Sequence, residues 1–74
     1  MRTFNIEHIN PAHVFRVYKD GNDLVIWSVT NDTCTYPNLT KEEMDTLIRS
    51  LKEHFNSKRF GLEVYNGLDE AKNH

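Results

Sequence analysis

His13-Val14-Phe15-Arg16-Val17-Tyr18-Lys19-Asp20-Gly21, followed at once by Asn22-Asp23-Leu24-Val25-Ile26-Trp27-Ser28-Val29-Thr30, reads as two strands folded about a tight turn. β-Branched and aromatic side chains dominate both runs, and these pack well on a pleated surface. Asp20-Gly21 between them is a strong hairpin signal, because the pair tolerates the positive φ that a two-residue loop demands. A competing reading takes Asn10 as N-cap, Pro11 as first helical residue and Gly21 as terminator, framing a short helix over residues 11–19. Residue type favours strands.

Alternation along a strand then sorts the side chains. With an even-length loop, Phe15 and Val17 share a face with Leu24 and Ile26, and the opposite face carries Val14, Arg16, Tyr18, Val25, Trp27 and Val29. Upstream, Phe4 and Ile6 alternate with Thr3, Asn5 and Glu7, which predicts a first strand over residues 2–8, broken by Asn10-Pro11. Downstream, residues 31–38 are polar and contain Pro37, and are expected to be a loop.

Past that loop lies the best-signalled helix. Thr40 and Glu43 have the spacing of a capping box, and Leu39 and Met44 that of a hydrophobic staple. Met44, Leu47, Ile48, Leu51 and Phe55 fall on one stripe at helical period. Glu42, Glu43 and Asp45 lie near its start and Lys52 and Lys58 near its end, which suits the helix dipole; Asp45 and Arg49 form an i,i+4 pair. Phe60, Leu62 and Val64 then alternate with Gly61, Glu63 and Tyr65, predicting a last strand ended by Asn66-Gly67. The expected architecture is α+β: order β-β-β-α-β, a small, mostly antiparallel sheet with one amphipathic helix on one face. Residues 1–67 form the single domain and residues 68–74 a polar tail that frays.

Composition bounds what such a domain does. The chain has 74 residues, 38% hydrophobic and 27% charged, with a net charge of −2; its pI is about 6.0. That is globular composition without the basic excess of a typical nucleic-acid binder. Cys34 is the only cysteine, which excludes an intrachain disulfide, and the N-terminus lacks the apolar core of a signal peptide. A cytoplasmic protein with no membrane span is expected, and the Asn31-Asp32-Thr33 and Asn38-Leu39-Thr40 sequons carry no meaning in that setting. Because it begins with methionine and ends soon after its last element, the chain is expected to be complete.

No catalytic or metal constellation can be assembled. His8, His13, His54, His74 and Cys34 are scattered without the paired spacing of a zinc site. Cys34 lies six residues before the helix cap with no base implied beside it. The carboxylates of the helix start are explained by the dipole, and the three glycines are isolated, so no phosphate loop exists. No cofactor, no metal and no enzymatic activity are expected. Arg49, Lys52, Lys58 and Arg59 gather around the helix end, a pattern that dipole complementarity accounts for.

One helix cannot cover both faces of a sheet. The second face therefore leaves Val14, Arg16, Tyr18, Val25 and Trp27 as the candidate partner-binding residues, unless residues 31–38 or the tail cover them. The expectation is a non-enzymatic protein-binding module, an inhibitor or regulator of another protein, acting alone or as a homodimer. Phages and mobile elements commonly carry such small proteins. The alternative is a weak nucleic-acid-binding accessory protein that uses the basic helix end with Trp27 or Tyr18 for stacking.

Overall fold

The computed structural model describes residues 3–29 and 33–72. Arg2 and Thr30, at the ends of two expected strands, and Asn31 and His74 lie outside them.

The chain enters the sheet through a single 3-10 turn, Pro11–His13. Asn10 caps it, its side chain accepting the Ala12 N–H at 3.0 Å, and Pro11 sits where no N–H is needed. The start signals of the competing helix are therefore real, but the helix stops after one turn. From Val14 onward, pairing with the neighbouring strand wins.

That strand, β1 (Val14–Asp20), and β2 (Asp23–Ser28) form the expected antiparallel hairpin. Asp20 pairs with Asp23, so Gly21 and Asn22 are the two loop residues, one position later than Asp20-Gly21. Gly21 has φ 60, a value only glycine adopts without cost, and glycine is the usual first residue of this loop type.

A register shift between Val14 and Arg16, opposite Ser28 and Trp27, breaks the alternation at the start of β1. One extra residue in a strand flips every side chain beyond it. Val14, expected on the open face, packs against the helix-side core. Phe15, expected in that core, is 48% exposed, and its ring lies 5.8 Å from that of Trp27.

β3 (Cys34–Tyr36) forms within the stretch expected to be loop, pairing Leu24 with Tyr36 and Ile26 with Cys34. The strand expected over residues 2–8 does not form. Its alternation is still expressed as burial: Phe4 and Ile6 are half-buried against the core, while Thr3, Asn5 and Glu7 are exposed. The segment is pinned by the Tyr36 hydroxyl donating to the Asn5 carbonyl at 3.3 Å and by edge-to-face contact of Phe4 with Tyr36 at 5.8 Å. The α+β class holds, but the order differs from the expected one: β3 stands in place of the N-terminal strand, and a further short helix follows the last strand.

Helix α1 spans Lys41–Ser57. Its capping box is complete: Glu43 N–H donates to Thr40 Oγ at 3.1 Å and Thr40 N–H donates to Glu43 Oε1 at 2.9 Å. Leu39 and Met44 are both buried, as the staple requires. At the far end, Phe60 N–H donates to the Phe55 carbonyl (2.9 Å) and Arg59 N–H to that of Asn56 (3.0 Å). This is a Schellman closure, and Arg59 occupies its left-handed position at φ 66.

The chain then crosses from the β3 edge to the other edge of the sheet, where β4 (Val64–Asn66) pairs with β1 in parallel, Val17 opposite Val64 and Tyr18 opposite Tyr65. A helical crossover delivers a parallel strand, so the sheet is mixed, ordered β3-β2-β1-β4, rather than purely antiparallel. β4 covers less than the expected run; Phe60 is 43% exposed.

The expected tail contains a short helix, α2 (Leu68–Lys72), with Ala71 fully buried. Two apolar clusters result. Val17, Leu24 and Ile26 pack against Met44, Leu47, Leu51 and Phe55 of α1, together with Ile9 and Leu39. On the other face of the sheet, Tyr18, Val25 and Tyr65 pack with Ala71, and Trp27 rests against them. No helix among the described residues is long and apolar enough to cross a membrane.

Candidate interaction site

The five residues read as partner-binding do not form one open patch. Val14 belongs to the helix side. Tyr18 and Val25 are each only 7% exposed, covered by α2. Arg16 is committed to structure. Its Nε donates to the Ala71 carbonyl at 2.8 Å and its guanidinium donates to the Phe15 carbonyl at 2.9 Å, while its charge lies 5.7 Å from the Tyr65 ring centre. A guanidinium over an aromatic face is attracted by the ring quadrupole, so Arg16 ties β1, β4 and α2 together. Arg16, Tyr18 and Val25 thus lie on the expected face under α2, and Trp27 lies on it half-buried, at the margin of the second cluster.

What remains open is smaller and differently composed. Trp27 meets Tyr18 edge-on at 5.1 Å and Phe15 at 5.8 Å with a 40° tilt. Val29, two residues beyond Trp27, is 62% exposed. Phe15, Trp27 and Val29 therefore form an apolar patch on the rim of the sheet. Phe15 also borders a cleft of about 520 Å³ lined by Val14, Arg16, Phe55, Leu62 and Tyr65. The cleft exists because β4 begins only at Val64, opposite Val17, so residues 14–16 of β1 run past its start.

Phe15 was missed because the bulge that turns it outward has no mark in the sequence. The cover over Tyr18 and Val25 did leave one: Leu68 and Ala71 stand at i,i+3, with Asp69 and Glu70 in the first turn and Lys72 in the last, a short helix pattern directly after Gly67.

Among the described residues, no three His, Cys, Asp or Glu side chains come together to hold a metal ion. Cys34 is a half-buried free thiol on β3, packed against the helix-side core. Burial, and then hydrogen bonding with Cys34, push the Tyr36 phenol well above the ordinary tyrosine range. The Tyr65 phenol is also raised, first because its hydroxyl donates to Glu63 Oε2, at 2.9 Å, and then by burial. Arg49, Lys52, Lys58 and Arg59 are all exposed.

No protein-family model, no curated protein and no solved structure matches this chain.

Proposed function

We propose that this chain is a non-enzymatic protein-binding module, an inhibitor or regulator that docks its partner on Phe15, Trp27 and Val29. The observation that supports it is the Phe15–Trp27 pair: two large aromatics in ring contact, Phe15 48% exposed, at the lip of an open cleft. Aromatic side chains beside a cleft are the usual anchors of an interface. Its single cysteine agrees with work in the reducing cytoplasm.

The nucleic-acid reading draws less support. It combines Trp27 or Tyr18 as stacking platforms with the basic residues of α1, but α1 packs on one face of the sheet and Trp27 lies on the other. Tyr18 is buried as well. The two halves of such a site do not share a surface.

The test compares wild type with Phe15→Ser and Trp27→Ala as baits in host extract, with circular dichroism to confirm that each is folded. Loss of an anchor should weaken capture of a specific protein by roughly thirtyfold or more. Sedimentation of the same variants separates a foreign partner from a second copy of this chain. Equal capture and equal mass for all three baits remove the patch from the function.

A further inference from the structure

We propose that α2 is a displaceable latch on the aromatic face of the sheet, closed by one alanine and one arginine and hinged at Gly67. The inference extends the docking reading above in its consequence only; opening of the latch is a property of the chain by itself.

α2 is a short element that lies against β1 and β4. It has five residues, of which only Ala71 is buried, far short of the 12–15 or so that make a helix persist unaided. Its first turn closes with a long hydrogen bond, Ala71 N–H to the Gly67 carbonyl at 3.2 Å. The shorter bond comes from outside, from Arg16 Nε to the Ala71 carbonyl at 2.8 Å. Gly67 joins α2 to β4 at φ 92, backbone that glycine enters and leaves freely.

What lies beneath is disproportionate to the cover. Tyr18, Val25 and Tyr65 form the second apolar cluster, and the sheet itself separates them from Leu47, Leu51 and Phe55. Lifting α2 removes one small side chain from that cluster and leaves the α1 side untouched. The opened face joins Tyr18, Val25 and Tyr65 to Phe15 and Trp27 in one aromatic surface. A partner that spreads from Phe15 and Trp27 onto Tyr18 and Val25 competes with α2 for that surface, so the affinity of this extended docking is scaled down by the fraction of molecules that are open.

Thiol labelling of the full chain tests this. Ala71→Cys, in a Cys34→Ser background so that it is the sole thiol, places a reactive group at the buried contact. An open population of about 0.1–10% slows its labelling only about 10- to 1000-fold relative to an unprotected thiol, with a rate nearly independent of low urea. Arg16→Met, which keeps the aliphatic stem and removes the donor, should speed that labelling severalfold while the urea midpoint stays close to that of the background protein. Labelling that follows the global unfolding curve, with the same urea dependence, overturns the latch and leaves the docking patch standing. So does labelling that ignores Arg16→Met. A background protein that fails to melt cooperatively also counts against the proposal, since it places Ala71 in the part of the fold on which everything else depends.

Discussion

Arg59 sits where most helices place glycine. Its φ of 66 brings Cβ toward the carbonyl, a conformation that disfavours L-residues by roughly 1–2 kcal/mol. Arg59→Gly removes that strain but loosens the unfolded chain, and the net should be a stabilisation of about 0.5–1 kcal/mol, read as a higher urea midpoint with an unchanged slope. At the other end of α1, Thr40→Ala removes one oxygen of the capping box and should cost about 1 kcal/mol. The cap could be read directly in Thr40 and Glu43, because both of its hydrogen bonds are local and need nothing from the rest of the chain. The strain at Arg59 could not.

Elements with local causes were legible, whereas those that depend on a distant partner were not. α1 and the hairpin carry their own instructions: a stripe at helical period, and a glycine where the turn needs positive φ. The N-terminal segment has the alternation of a strand but pairs with none, and β4 rather than residues 3–9 takes the second side of β1. Pairing is a property of two segments, and alternation reports on one. The layout of the candidate face was hidden for the same kind of reason. A single bulge opposite Ser28 and Trp27 exchanged Val14 and Phe15 between faces, while α2 covers Tyr18 and engages Arg16. The helix stripe supplies the matching prediction. Leu51 is fully buried between α1 and the sheet, and Leu51→Ala should lower stability by about 2–5 kcal/mol through the cavity it leaves. A melt no different from that of an exposed-site variant such as Lys52→Ala would remove Leu51 from the core.

The molecule as a whole is small enough that a few groups set its response to pH. Tyr36 and Tyr65 both have phenols raised above the ordinary value, so the fold favours their neutral forms. Stability from these groups is intact below the unfolded tyrosine pKa of about 10 and is lost as pH rises through their higher folded values. Urea midpoints should therefore fall above pH ~10, with phenolate absorbance from Tyr36 and Tyr65 lagging behind that of a tyrosine peptide. Tyr36→Phe should flatten part of that decline, as it deletes the titrating hydroxyl and keeps the ring against Phe4. A stability curve that is level between neutral and strongly alkaline pH would contradict the assignment.

The parallel pairing of β4 with β1 also fixes when the protein can finish folding. β1 is an inner strand of the completed sheet, but until residues 64–66 arrive it is an edge, with one row of backbone groups unsatisfied. Those residues follow the hairpin and α1 in the chain and so leave the ribosome after both. The hairpin and α1 can take shape first, while closure of the sheet waits for residues 64–66 to emerge, and a nascent chain stalled before Val64 carries an open strand in the middle of its future core. A nonsense codon ahead of Val64 therefore does not yield merely a shorter domain. It yields one prone to edge-to-edge association, and the cell's quality-control proteases should recognise it as unfinished.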